Sequence, residues 1–275
     1  RFKRKMAGAN EEIVSMTPKV LVLKADGTNR DTEMAYAFKV AGGNPKIVHV
    51  NELRRKKDNL ANYHILALPG GFAYGDDIVS GKILAIELTS FLGTEMKKFI
   101  DRSNTAILGV CNGFQVLVRT GLLPFRKIGE MRVSLTNNDS GHFECRWVKV
   151  KVENKSVCRF LDGLENQIIM LPVAHGEGKF FTDSKTLKEI ENKNLVAFRY
   201  VDNRGDSTQN YPDNPNGSLD AIVGITDTTG RILGMMPHPE CFVREEQHPN
   251  WRRDKVKVDG LPLFENIVKF VKGEL

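Results

Sequence analysis

The first half of the chain alternates short, wholly apolar runs with longer segments of mixed polarity. The apolar runs predict four buried β-strands, at Lys19–Lys24, Lys46–Val50, Ile65–Leu68 and Ala106–Val110. The segments between them predict helices at Thr32–Ala41, Ile83–Phe91 and Met96–Ser103. Because strands that alternate with helices usually run in one direction, this half predicts a parallel sheet with helices on both faces.

After Gly121 the pattern changes to strands with little helix between most of them. Strands are predicted at Met131–Leu135, Phe143–Val152, Ile168–Leu171, Leu195–Val201, Ala221–Thr226 and Ile232–Met236. Asp227–Gly230 predicts a hairpin turn between the last two. The polar stretch Asn203–Ser218 predicts a loop, either functional or disordered, and Leu263–Val271 predicts a closing amphipathic helix. This half therefore predicts an antiparallel extension of the sheet.

One apolar run leads directly into a cysteine flanked by glycines. Cys111 follows Ala106–Val110, and Gly109 and Gly113 lie two positions away on either side. This pattern between a strand and a helix is the cysteine counterpart of the nucleophile elbow, a strained turn where larger side chains would collide with the strand or helix. It predicts a sulfur that faces a ligand at a helix N-terminus, where backbone amides and the helix dipole favour the thiolate.

A second reading of Cys111 stays open at this point, because free cysteine is among the most buried residue types and commonly fills apolar cores. A cysteine nucleophile needs a histidine base. Among the six histidines, His238 is the best candidate because it follows the strand Ile232–Met236, and residues just past parallel strand ends gather where ligands bind. Glu240 is placed to accept the other ring N–H and to fix the tautomer. The alternative is an incidental surface pair.

An oxyanion site is the second requirement of such chemistry. The backbone amide of Asn112, directly after the cysteine, is one natural donor. Gly71 is the expected second donor because it follows the strand Ile65–Leu68 and has no side chain to block a ligand, although Pro-Gly-Gly could equally form only a turn. His175 and Glu177 lie among glycines, which fits either a substrate or interface contact or a surface turn.

Composition narrows the class of protein. The chain has 275 residues, of which 41% are hydrophobic and 27% charged, which is typical of a globular protein. It contains no apolar run of membrane-spanning length, and its net charge of +6 comes without a nucleic-acid motif, so we expect neither kind of partner. The four cysteines have neither zinc-ligand nor CxxC spacing, so we expect no metal site and a reducing, cytoplasmic location.

Several motifs together resemble a known family. The elbow Leu108–Gly113 and the segment Met236–Glu240 are similar to those of class I (triad) glutamine amidotransferases. The resemblance narrows to the glutaminase subunits of phosphoribosylformylglycinamidine synthases through further motifs at Pro69–Asp77, Phe143–Val148, Ala174–Gly178 and Asn214–Ser218. These motifs extend over nearly the whole chain, and the resemblance implies the flavodoxin-like α/β fold of class I glutamine amidotransferases.

The resemblance implies a specific chemistry. Cys111 attacks the side-chain amide of L-glutamine, His238 moves the proton, and Glu240 orients His238. The amides of Gly71 and Asn112 hold the tetrahedral oxyanion, and water hydrolyses the γ-glutamyl thioester. The resemblance implies that Gln115 helps to hold the substrate. It places four further candidate substrate-binding residues near the glutamine or the synthase interface: His175, Glu177, Asn216 and Ser218.

The resemblance also implies partners. Ammonia passes to a large synthase subunit, which uses ATP to make formylglycinamidine ribonucleotide in de novo purine biosynthesis. A small accessory subunit is a further expected partner. No cofactor is expected in this chain, since ATP and magnesium belong to the synthase subunit.

Residues 17–275 are expected to form one amidotransferase domain. The sequence begins with Arg, so we expect residues 1–16 to be a tail that is disordered or foreign to the natural chain. One alternative function is a DJ-1/PfpI-like cysteine hydrolase, but those relatives usually place a histidine beside the elbow cysteine, where Asn112 stands here. A catalytically inactive regulatory subunit is the other alternative. The presence of Cys111, His238 and Glu240 argues against it.

Overall fold

A nine-stranded mixed sheet forms the centre of the computed structural model, which describes residues 16–76 and 79–274. The predicted tail, apart from Met16, and Asp77 of the Pro69–Asp77 motif lie outside the described residues. The strands are β1 Lys19–Lys24, β2 Asn44–His49, β3 Ile65–Leu68, β4 Ala106–Val110, β5 Ser134–Asn137, β6 Glu144–Val152, β7 Ile168–His175, β8 Glu177–Phe181, β9 Val196–Tyr200, β10 Ile222–Thr226 and β11 Ile232–Met235.

The strand order in the main sheet is β2-β1-β3-β4-β11-β10-β9-β6-β7. From β2 to β11 the neighbouring strands are parallel, and from β11 to β7 they are antiparallel. The hairpin predicted at Asp227–Gly230 joins β10 to β11. The structure therefore confirms the predicted parallel core and its antiparallel extension. β5 and β8 form a separate antiparallel pair.

The helices cover the central strands, which are buried along most of their length. Their bounds are α1 Asp31–Val40, α2 Val50–Arg54, α3 Lys82–Ile86, α4 Gly93–Asp101, α5 Asn112–Arg119, α6 Ser184–Asn192 and α7 Leu261–Lys272. In one layer, α1 packs on α7, where Phe38 and Phe264 meet edge to face with ring centroids 4.9 Å apart. In the other layer, α3 packs against α5, and α5 contacts β3, β4 and β11.

The sequence pattern missed three of these elements, the short helix α2, the strand β8 and the helix α6. β8 continues from the turn at Gly176 and, among the described strands, pairs with β5 alone, away from the main sheet. α6 is mostly polar, and its buried positions are few because it lies on the surface. Its N-terminus is defined by Asp183, whose side chain accepts hydrogen bonds from the N–H groups of Lys185 and Thr186 at 2.9 Å each. Among the described residues, no helix combines the length and apolar character that a bilayer crossing requires.

Candidate active site

Cys111 occupies the strained turn that the sequence predicted. Its backbone has φ 51° and ψ −107°, a combination that non-glycine residues rarely adopt. A Cβ atom on Gly109 would lie 2.7 Å from the Gly113 carbonyl oxygen, and one on Gly113 would overlap the Leu68 carbonyl. Both glycines are therefore required by close packing of β4, α5 and β3, and the turn is held by the surrounding fold.

The structure brings the cysteine and the predicted base together. The Cys111 N–H donates to the Met235 carbonyl at 2.8 Å, which joins the carboxyl ends of β4 and β11. His238 follows β11. A Cβ atom on Gly70 would lie 2.6 Å from His238 Cε1 and 3.4 Å from Cys111 Cβ. His238 Cε1 and Cys111 Cβ are therefore within about 6 Å of one another. Gly70 thus packs against both residues, and only a glycine leaves room there for the imidazole.

His238 is buried and paired with a buried carboxylate. Its Nδ1 lies 2.7 Å from Glu240 Oε1. Burial opposes protonation of the ring, but the charge of Glu240 and the neighbouring Cys111 sulfur outweigh it and raise the pKa of His238 to about 10. The imidazolium is therefore favoured, which suits a group that must give a proton to a leaving amine.

A metal ion is not needed to explain the cluster around this histidine. His238, Glu240 and Cys241 place one possible ligand atom each within 4.8 Å of one another. The Nδ1 of His238 is already bonded to Glu240. Burial and the Glu240 charge raise the pKa of the Cys241 thiol, which favours its protonated form in these surroundings.

The two predicted oxyanion donors lie beside the sulfur. Gly71 lines the same cavity as Cys111, with φ +140°, and a Cβ atom there would lie 2.7 Å from the Asn29 nitrogen. Asn112 is the first residue of α5, where a backbone N–H has no acceptor within the helix. The Asn112 side-chain oxygen accepts from the Ala73 N–H at 3.3 Å and so holds the loop of Gly71 against the elbow.

A cavity of about 240 Å³ opens onto Cys111, a size suited to one small ligand. It is lined by Gly71, Phe72, Asp76, Ser80, Cys111, Gln115, Phe143, Ala174, His175, Gly176 and Glu177. Gln115 Nε2 donates to the Glu177 carbonyl at 2.6 Å, so the two predicted substrate contacts are fixed to each other. The half-exposed rings of Phe72 and Phe143 stand at the rim with centroids 6.3 Å apart.

Asn216 and Ser218 lie behind the cavity rather than in its wall. Both side chains are buried. Asn216 Nδ2 donates to the Gly178 carbonyl at 2.8 Å, and Ser218 Oγ accepts from the Phe180 N–H at 3.0 Å. These hydrogen bonds tie the pair to β8, which follows His175, and the predicted contact of the pair with substrate stays a prediction.

Two site residues were not singled out from the sequence. Asp76 Oδ1 accepts from Asn112 Nδ2 at 3.1 Å and lines the cavity, and burial raises the pKa of this carboxyl. Asn138 lies 37 residues before His175, and its Oδ1 lies 3.0 Å from His175 Nδ1. Asp76 stands inside a quoted motif and could have been noticed there. Nothing in the pattern around Asn138 marks it, because its role depends on a contact between distant strands.

A mixed α/β sheet with this cysteine elbow and His–Glu pair defines the chain as a triad glutamine amidotransferase. The family model described as a CobB/CobQ-like glutamine amidotransferase domain matches residues 17–271. The chain is 44% identical over 256 residues to phosphoribosylformylglycinamidine synthase subunit PurQ of Dehalococcoides mccartyi, covering 92% of this chain and 98% of that protein. The chain belongs to the PurQ family.

Further comparisons agree with this assignment. The subunit PurQ of Methanococcus maripaludis is 45% identical over 243 residues, which is 87% of this chain and 89% of that protein. A chain in the solved structure of PurLQS from Thermotoga maritima superposes with a TM-score of 0.72 at 31% identity, covering 93% of this chain and 99% of that one. This membership sets aside the alternative of a DJ-1/PfpI-like hydrolase.

Proposed function

We propose that Cys111, His238 and Glu240 form the triad through which this PurQ-family subunit hydrolyses L-glutamine. The Cys111 sulfur attacks the side-chain carbonyl carbon, and His238 gives a proton to the nitrogen that leaves as ammonia. Water then attacks the γ-glutamyl thioester, with His238 taking its proton, and glutamate is released. The observation that carries this proposal is the close approach of His238 to Cys111, with Cε1 and Cβ within about 6 Å of one another, while Glu240 lies 2.7 Å from the Nδ1 of His238.

The backbone amides of Gly71 and Asn112 are the proposed oxyanion donors. Gly71 shares a cavity with the sulfur, and the amide of Asn112 lies at the N-terminus of α5. Preorganised donors of this kind stabilise the charge that develops on the carbonyl oxygen. Gln115, His175 and Glu177 are the proposed substrate contacts, because each lines the cavity.

As a member of its family, the chain is the glutamine amidotransferase subunit of phosphoribosylformylglycinamidine synthase. It supplies ammonia for formylglycinamidine ribonucleotide synthesis in purine biosynthesis. We propose that a large synthase subunit receives the ammonia and that a small subunit completes the assembly, since the similar Thermotoga chain comes from a PurLQS structure. We further propose that ATP and magnesium bind to the large subunit and that the complex is cytoplasmic. Residues 17–275 are proposed as one domain.

The test is Cys111→Ala, measured in the complex with the synthase. Glutamine-dependent synthesis should be abolished, while synthesis from added ammonia should stay at the wild-type rate, because only the ammonia source is lost. Diazo-oxo-norleucine, an alkylating glutamine analogue, should label the wild-type chain and not the variant. Cys145→Ala is the matched control, because Cys145 is exposed and outside the cavity. Equal loss of both syntheses in Cys111→Ala would overturn the proposal.

A further inference from the structure

His175 is a second buried histidine in the site, and its hydrogen bonds fix which ring nitrogen carries the proton. Asn138 Nδ2 donates to the carbonyls of His142 at 2.9 Å and His175 at 2.8 Å. Asn138 Oδ1 accepts from the Gly178 N–H at 3.2 Å. These backbone partners settle the orientation of the Asn138 amide, since its nitrogen must face carbonyls and its oxygen must face an N–H.

The orientation of Asn138 decides the tautomer of His175. The Asn138 oxygen lies 3.0 Å from His175 Nδ1 and can only accept, so Nδ1 carries the hydrogen and Nε2 carries a lone pair. The ring cannot easily turn over, because it packs face-on against Gly178, where a Cβ atom would lie 2.6 Å from Nδ1. His175 is therefore a fixed acceptor.

That acceptor has no partner within the protein. Among the residues that the structure describes, none forms a hydrogen bond with His175 Nε2, although the side chain is only 3% exposed. A buried acceptor without a partner is costly and rare in native proteins. His175 also lines the cavity that holds Cys111, and its Nε2 is covered, so a ligand that shifts the cavity wall is the available donor.

We propose that His175 Nε2 accepts a hydrogen bond from the side-chain NH₂ of glutamine and thereby selects the amide over the acid. The inference rests on the proposed glutaminase function and names the specificity element of the same site. Glutamine differs from glutamate only at this group, where an N–H donor replaces an oxygen lone pair. A fixed acceptor attracts the N–H of glutamine and repels the oxygen lone pair of glutamate.

The electrostatics of His175 suit this role. Burial, and then the nearby His238, lower the pKa of His175 to about 4. The ring therefore stays neutral at physiological pH and keeps its lone pair. It takes no proton from the departing nitrogen, so ammonia formed with the proton from His238 leaves His175 unchanged.

The test compares two substrates of the assembled complex, L-glutamine and the γ-methyl ester of L-glutamate, which has no side-chain N–H. His175→Leu should lower kcat/KM for glutamine by about tenfold or more and change that for the ester less than about threefold. His175→Gln places an amide oxygen near the Nε2 position and should restore the preference for glutamine. Inhibition by glutamate should become stronger in His175→Leu.

Equal loss on both substrates, or an unchanged glutamine-to-ester ratio, would overturn the inference. Labelling of Cys111 by diazo-oxo-norleucine should persist in His175→Leu, because that reagent has no side-chain amide. Labelling separates the two proposals, since its absence in the wild-type chain would refute the glutaminase mechanism instead. If His175→Leu does not fold, Asn138→Ala serves in its place, because it frees the proton to move to Nε2 and should lower the same ratio.

Discussion

The ends of β11 and β7 each present a buried histidine to the surroundings of Cys111, and the two are prepared in opposite ways. His238 Nδ1 faces a carboxylate at 2.7 Å, and His175 Nδ1 faces an amide oxygen at 3.0 Å. Burial lowers the pKa of both rings, but Glu240 reverses the effect for His238, whereas neutral Asn138 leaves His175 with a pKa of about 4. The partner of Nδ1, rather than burial, thus decides which ring can carry a proton.

The largest expected effect comes from removing the protonated ring. His238→Ala should lower glutamine-dependent turnover of the complex about a thousandfold, since it removes the group placed to protonate the leaving nitrogen. Glu240→Gln gives His238 an amide partner at Nδ1, as His175 has. This variant should lower turnover less, about a hundredfold, because orienting the ring is secondary to proton transfer. Steady-state kinetics on glutamine would measure both, with ammonia-dependent synthesis as the control. Matching rates for the two variants would contradict these roles.

The next effect tests whether His238 must stay where the fold holds it. Gly70→Ala should lower turnover about tenfold to a hundredfold, because the new Cβ atom would lie 2.6 Å from His238 Cε1 and push the ring from Cys111. Gly93→Ala is the matched control, since a Cβ atom on Gly93, in α4, would have nothing within 4 Å. Comparable activity of the two variants would show that the ring has room to adjust.

Much of the site around Cys111 and His238 was predictable from local sequence. The nucleophile elbow, the oxyanion loop and the His–Glu pair each lie within a few consecutive residues, and their strands were predicted within one or two positions. The contacts around His175, at the end of β7, were not predictable in the same way. Asn138 and Asn216 act on His175 and Gly178 across 37 and 38 residues, and only the folded sheet brings those pairs together. The burial of His175, which is 3% exposed, was not predictable either, because it depends on the same contacts between distant residues.

The comparison of the two histidines can also be tested by giving His175 the kind of partner that His238 has. Asn138→Asp gives His175 a carboxylate partner and should raise the pKa of His175 into the range of about 5 to 7. The same change removes two hydrogen bonds to backbone carbonyls and should lower the free energy of unfolding by about 1–3 kcal/mol. NMR titration of the His175 ring would measure the first effect and chemical denaturation the second. A His175 pKa still near 4 would show that burial dominates after all.

The last expected effect is on stability at acid pH. The unfolded chain protonates His175 as the pH falls through about 6.5, while the folded chain keeps it neutral down to about 4. The unfolded state therefore binds more protons in that window, and this group alone should lower the free energy of unfolding by about 3 kcal/mol as the pH falls from 6.5 to 4. His175→Gln should flatten that part of the stability curve, measured by denaturant melts. A slope equal to that of the wild type would exclude His175 as its source.

The hydrogen bond from the Cys111 N–H to the Met235 carbonyl has a wider consequence. It continues the ladder of two adjacent parallel strands, so the elbow and the segment that leads to His238 are locked into one rigid frame. Separating them would require tearing the centre of the sheet. Any rearrangement of the cavity is therefore confined to parts outside that frame, such as the two half-exposed phenylalanines at its rim.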